Sequence, residues 1–209
     1  MTRRIVYSVA LGVFVCTTIL TLTSLLTTHW VTYSVTASTG ATFTKRLGLY
    51  ESCSSVADPS CRPFPSDDDC RAGSGSGSGN NGIGSRAFCS LWRTGGFLLA
   101  LATIVELAIL VSFLVVLAGG KPKREGGWRL VGALLLADAV IEFTGMGIVA
   151  WLFEHDSQFV VPGWSLDYSF YLCTASGSVS VLLAAALAAS AYLLPPEDDY
   201  ESLEDPLDS

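Results

Sequence analysis

Residues Gly95-Gly96-Phe97-Leu98-Leu99-Ala100-Leu101-Ala102-Thr103-Ile104-Val105-Glu106-Leu107-Ala108-Ile109-Leu110-Val111-Ser112-Phe113-Leu114-Val115-Val116-Leu117-Ala118 form an apolar run interrupted by a single charged side chain, Glu106. A helix rises about 1.5 Å per residue and the hydrocarbon core of a bilayer is about 30 Å thick, so about 20 apolar residues span it. In lipid such a run must be helical, because nothing there pairs with backbone N–H and C=O groups. Three further stretches read the same way: Ile5–Leu26, Arg129–Phe153 and Ser169–Leu194. Gly119-Gly120 and Pro122 follow the second span, and Pro195-Pro196 follows the fourth; both residue types resist helix continuation. Composition agrees with this reading. Half of the 209 residues are apolar, only 15% are charged and the mean hydropathy is +0.49, against about 25% charged residues in soluble domains. These values argue against an ordinary soluble enzyme, a disordered chain and a nucleic-acid binder.

The formal net charge of −7 belongs to one segment: residues 195–209 carry Glu197, Asp198, Asp199, Glu201, Glu204, Asp205 and Asp208 with no Lys or Arg, so the rest of the chain balances twelve acids against twelve bases. No basic surface is left for phosphates, and no nucleic-acid partner is expected. Thr2-Arg3-Arg4 ahead of the first apolar run looks like the start of a signal peptide. The run is too long for that, and Thr27-Thr28-His29-Trp30 is a poor cleavage site, so it reads as a retained span. Lys and Arg set the orientation. They occur at Arg3 and Arg4 and between spans two and three at Lys121, Lys123, Arg124 and Arg129, whereas the link between spans three and four has none. The expectation is a multi-pass plasma-membrane protein with both termini cytoplasmic and residues 30–92 outside.

Cys53, Cys61, Cys70 and Cys89 fall in that outer loop, where disulfides persist; Cys16 and Cys173 fall in spans and read as small apolar fillers. Four cysteines allow three pairings. Cys53 and Cys61 are the natural first choice, because their bond staples a hairpin, while Cys70 and Cys89 are left as a second pair or as free thiols. Zinc ligation by all four is disfavoured, since no C-x2-C spacing is present. Trp30–Thr36 and Ala41–Leu49 are rich in β-branched and aromatic residues with near-alternation and predict two strands. Ala72–Ser85 reads as a flexible Gly/Ser insertion.

Trp30, Gly48-Leu49-Tyr50, Cys53, Cys61 and Arg86-Ala87 together resemble the Trp … Gly-Leu-Trp … Cys … Cys and Arg-Ala signature of the claudin and peripheral-myelin-protein superfamily. The resemblance covers the whole topology: four spans, a large first outer loop, a small second one and both ends inside. It implies an all-α membrane protein, a left-handed four-transmembrane-helix bundle with a small disulfide-pinned antiparallel sheet outside, built over residues 1–194. It also implies that Cys53–Cys61 is the sheet disulfide and that Trp30 and Leu49 lie at the lipid boundary. Tyr50 replaces the family's Trp, the Cys–Cys gap is short, Cys70, Cys89 and the Gly/Ser insertion are additions, and Pro206-Leu207-Asp208-Ser209 lacks an apolar last residue for PDZ domains. These departures point away from animal tight junctions. The chain is more similar to divergent fungal claudin-like proteins associated with cell-surface organisation.

Glu106 lies in the middle of span two, and Asp138 and Glu142 lie in the middle of span three, four apart and on one helix face. No basic residue lies at comparable depth. Such acids are costly in lipid and should face the bundle interior, with partners among Thr17, Thr18, Thr21, Ser24, Thr174, Ser176, Ser178 and Ser180. They read either as interhelical hydrogen-bond glue or as a proton- or cation-binding pathway. Small residues at Ser176, Ser180, Ala184 and Ala188 form a packing stripe on span four, echoed by Ser8, Gly12 and Cys16 on span one. The tail 195–209 should be disordered; its Tyr200-Glu201-Ser202-Leu203 resembles a Tyr-x-x-apolar sorting signal, read through Tyr200 and Leu203. Asp67-Asp68-Asp69 lacks the spacing of a calcium loop and reads as a solvated turn.

No catalytic residues, no metal ligands and no cofactor emerge from these motifs. The sequence predicts a non-enzymatic membrane protein that organises the cell surface or cell–cell and cell–wall contacts. Its partners are expected to be membrane lipid, other membrane proteins including copies of itself, and cytoplasmic proteins through the tail. An ion channel, channel subunit or proton/cation pathway using Glu106, Asp138 and Glu142 is the alternative.

Overall fold

The computed structural model describes residues 2–38, 40, 42–71, 85–119, 121–156 and 159–193. The elements run α1 (Thr2–Leu26), β1 (Val31–Thr36), β2 (Thr42–Leu47), β3 (Glu51–Ser54), β4 (Cys61–Pro63), α2 (Asp67–Arg71), α3 (Ser85–Ala118), α4 (Lys121–His155), β5 (Trp164–Leu166) and α5 (Tyr168–Leu193). The four long helices form a closed ring in which α3 packs on α1 and α4, and α5 on α4 and α1. Arg4–Leu26, Arg86–Ala118, Gly126–His155 and Tyr168–Leu193 are each long and apolar enough to cross a membrane. Their outward faces carry Val9, Ile19, Phe97, Ile104, Val111, Leu114, Val140 and Leu182 exposed, while Thr21, Glu106, Asp138, Glu142 and Ser176 are buried inside. That inversion of the soluble pattern suits an apolar solvent.

Along the bundle the interior falls into three layers. At the sheet end an apolar cluster contains Trp30, Leu49, Phe64, Phe88, Trp92, Leu99, Met146, Val149, Leu152 and Cys173. At the distal end a second contains Tyr7, Phe14, Ile109, Phe113, Val131, Leu135, Ala184 and Leu187. Between them, one or two turns away on each helix, lie the buried Thr17, Thr18 and Thr21 of α1, Glu106 of α3, Asp138 and Glu142 of α4, and Ser176 and Ser180 of α5. A polar slab is thus closed above and below by close-packed side chains.

The helices exceed the predicted spans at two ends. α3 begins at Ser85, not Gly95, because Phe88 and Trp92 stack under the sheet (centroids 5.6 Å apart) and pack on Phe64, apolar contacts that hydropathy averaging over the span does not register. α4 begins at Lys121, so most of the predicted link 119–128 is helical. Pro122 sits in the first turn, where its missing N–H costs nothing. Gly127 keeps the helices close: a Cβ there would lie 2.7 Å from Val116 Cγ2 of α3. The stripe Ser8, Gly12 and Cys16 faces outward and does not line the bundle. Ser176, Ser180 and Ala184 are buried and Ala188 half-buried.

The sheet order is β4-β3-β2-β1-β5, antiparallel throughout. Both predicted strands form, pairing Val31 with Leu47 and Thr36 with Thr42. β5, from the second loop, joins the edge of β1 through Tyr33↔Trp164 and Val31↔Leu166; its three residues are too short to carry a periodicity. It enters through Gly163, whose φ of 118° suits glycine and whose carbonyl accepts the Ser34 N–H. The Asp67–Asp69 turn is instead the short helix α2: the Asp69 N–H donates to Ser66 Oγ and the Ser66 N–H to Asp69 Oδ2, a reciprocal cap. Trp30 and Leu49 are both fully buried between the sheet and the helix ends. Of the Ala72–Ser85 insertion, 72–84 lie outside the described residues and Ser85 opens α3. The tail 195–209, with Tyr200 and Leu203, also lies outside them.

Candidate functional site

Helix periodicity puts Asp138 and Glu142 on one face of α4, and the ring of helices turns that face towards Glu106 of α3. One carboxylate oxygen from each of the three lies within 4.8 Å of the others, with all three residues fully buried. Thr21 Oγ1 of α1 sits 2.7 Å from Glu106 Oε1 and 2.9 Å from Glu142 Oε1. Ser176 Oγ of α5 lies within hydrogen-bond distance of Thr21 Oγ1 and 3.2 Å from Glu142 Oε1, and Ser180 Oγ donates to Asp138 Oδ2 at 3.4 Å. All four long helices therefore contribute. A hydroxyl carries one proton, so Thr21 cannot donate to both glutamates at once. Among the described residues, Glu106 Oε2, Asp138 Oδ1 and Glu142 Oε2 have no hydrogen-bond partner, and none of the ion pairs involves an acid of the slab.

Of the other predicted partners, Thr17 and Thr18 bond back to the Val13 and Phe14 carbonyls, and Ser24 donates to the Ser169 carbonyl. Thr174 bonds to the Phe170 carbonyl and the Met146 sulfur, while Ser178 is exposed. Residue type singled out these hydroxyls, but only the rotation of each helix selects Thr21, Ser176 and Ser180.

At the sheet end, Cys53–Cys61 ties β3 to β4 and Cys70–Cys89 ties α2 to α3. Gly48 precedes β3 with its N–H donated to the Glu51 carbonyl at 2.8 Å. A Cβ at Gly48 would lie 2.8 Å from Thr28 Cα, so the strand can rest on the end of α1 only with glycine there. Tyr50 donates its hydroxyl to the Gly96 carbonyl of α3 at 2.8 Å, and burial raises its pKa. Arg86 is exposed beside the Cys70–Cys89 bond. Exposed apolar side chains cap the platform: Val56 on the β3–β4 turn, and Val160 and Val161 on the second loop.

Asp167, at the junction of β5 and α5, accepts hydrogen bonds from Thr32 Oγ1 and the Tyr168 N–H, with His29 Nδ1 3.0 Å from its Oδ2. Burial works against its ionisation, but these bonds outweigh it and hold its pKa below the ordinary aspartate value. A carboxyl with a depressed folded-state pKa stabilises above its unfolded pKa, about 3.9, and that contribution is lost as pH falls through the folded value. Acidification from pH 6 to 3 is expected to weaken the hold of β5 on β1. Amide protection factors across 159–167, taken relative to the intrinsic exchange rate at each pH, should fall severalfold, and Asp167→Asn should show lowered protection already at pH 6. Equal protection at both pH values in both proteins would remove Asp167 as the anchor.

Four membrane-length helices around a buried polar slab, crowned by a disulfide-bonded antiparallel sheet, define a multi-pass membrane protein. Compared with known proteins, the chain matches no family model and no curated protein.

Proposed function

We propose that the protein is a plasma-membrane structural and interaction protein of claudin-like type, non-enzymatic, with both termini cytoplasmic and the sheet outside. It organises the cell surface, or contact with neighbouring cells or wall, through its outer loops and through lateral contacts of the bundle with lipid, other membrane proteins and copies of itself. The acidic tail is then free to meet cytoplasmic proteins. The observation that carries this reading is the platform itself. The Cys53–Cys61 bond staples its β3–β4 hairpin, the Cys70–Cys89 bond ties α2 to α3 and the edge strand β5 leads into α5, and it presents Val56, Val160 and Val161 at 76%, 76% and 51% exposure. Apolar side chains displayed on a rigid frame favour protein contact, since little entropy is lost on docking.

The test is Val56→Asp/Val160→Asp/Val161→Asp in cells, with surface delivery and clustering followed together. Unchanged delivery with lost clustering and lost proximity labelling of neighbours supports the reading; clustering identical to wild type overturns it. The buried carboxyls favour a second reading, an ion pathway or channel subunit. Acid-dependent flux in liposomes, abolished by Glu106→Gln, would establish it. The apolar layers on both sides of the slab mean that such a path requires the bundle to open.

A further inference from the structure

We propose that Glu106, Asp138 and Glu142, with the hydroxyls of Thr21 and Ser176, form an occluded binding site for one calcium-sized divalent cation. This goes beyond the interaction role above and does not depend on it. Three carboxyl groups converge within 4.8 Å, and among the described residues no ion pair reaches any of them. Clustering alone would not make a site, but each acid also leaves one oxygen without a partner, on residues that are wholly buried. Six carboxyl oxygens face three hydroxyl protons, from Thr21, Ser176 and Ser180. Orphaned buried oxygens cost about 1–3 kcal/mol each, and more when charged. Neutral acids would each add one O–H donor to such a network, whereas a central cation engages all three carboxyls together without any proton. Gly177 keeps space open beside the orphan oxygen of α4: a Cβ there would stand 3.0 Å from Glu142 Oε2.

Donor type and spacing select the cation. Every candidate ligand is oxygen, which suits hard ions and disfavours zinc or copper. Ligands on opposite sides of calcium, each at about 2.3–2.6 Å, stand up to about 5 Å apart, whereas magnesium's demand spans of about 4 Å. An oxygen set spread over as much as 4.8 Å accepts the larger ion without moving a helix. Two positive charges against three carboxylates leave one negative charge, which the Thr21 and Ser176 hydroxyls can face with their protons. Because Leu99, Met146 and Cys173 close the slab on one side and Ile109, Phe113 and Leu135 on the other, the ion is a fixed cross-link between α3 and α4.

The test uses the full purified chain in nanodiscs, stripped with chelator and titrated at pH 7.5 with calcium, magnesium or sodium alone. Equilibrium binding of radioactive calcium is read alongside the melting temperature. One calcium per chain is expected to be lost in Glu106→Gln/Glu142→Gln, with the acidic tail identical in both proteins. At a hundredfold excess over the dissociation constant, calcium should raise the wild-type melting temperature by about 5–10 °C. Asp138→Asn, which keeps both glutamates, should weaken binding at least tenfold and serves if the double variant does not fold. No calcium bound to the wild type would overturn the proposal. So would equal binding by the folded variants, or stabilisation by magnesium or sodium without calcium.

Discussion

Replacing Trp30 with alanine is expected to destabilise the chain by about 3–5 kcal/mol, the cost of removing a large aromatic from a packed core. Trp30 is fully buried in the apolar cluster joining the sheet to the helix ends. Its Nε1–H donates to the Ser24 carbonyl at 2.8 Å, where the end of α1 has no helical donor left to offer. Its ring meets Phe170 of α5 edge-on at 6.4 Å, so one side chain ties α1, β1 and α5 together. Cys173 reports the loss: it is a free thiol buried in the same cluster, and in a Cys16→Ser background its labelling rate follows opening of the sheet end. Trp30→Ala should raise that rate more than a hundredfold, in line with about 1.4 kcal/mol per factor of ten. Trp30→Phe should raise it less, since it gives up the hydrogen bond, worth about 1 kcal/mol, and keeps much of the packing. Equal rates in wild type and Trp30→Ala would mean that the sheet end is held elsewhere.

The second large effect belongs to the Cys70–Cys89 bond. It closes a sequence separation of 19, and on the chain-entropy model a loop of that size stabilises by about 3 kcal/mol. The Cys53–Cys61 bond closes only 8 and joins two positions already paired as Cys53↔Cys61 in the sheet, so it adds less to an existing constraint. Cys70→Ser/Cys89→Ser should therefore lower the melting temperature by about 6–12 °C, taking about 2–4 °C per kcal/mol for a chain of this size, and by more than Cys53→Ser/Cys61→Ser. The reverse ranking would show that the β3–β4 hairpin depends on its staple and α2 does not depend on its own. α2 has other holds: Asp69 pairs with Arg62 at 2.7 Å, and its pKa is lowered because Ser66's hydrogen bonds and the charges of Arg62 and Lys45 outweigh its burial.

What the sequence by itself determined is what depends on local chemistry. Twenty or more apolar residues in succession read as a spanning helix because the backbone has no other partner in lipid, and all four such runs are helices. Alternating β-branched residues at Trp30–Thr36 read as β1 because a pleated strand shows one face to the core. Cys53 and Cys61 were close enough in sequence to suggest their pairing. Other features were beyond that reach. β5 exists only because β1 offers a free edge to three residues more than a hundred positions away. α3 starts early because Phe88 and Trp92 have a sheet to lie beneath, and Cys70 pairs with Cys89 because α2 sets them together. The acids show the division most clearly. Their depth was legible from position, but no spacing along the chain resembled a metal-ligand pattern. Only the rotation of four helices about their axes decided that Glu106, Asp138 and Glu142 share one centre with Thr21 and Ser176 while Ser178 looks outward. Helix rotation is a property of packing between segments, and no single segment encodes it.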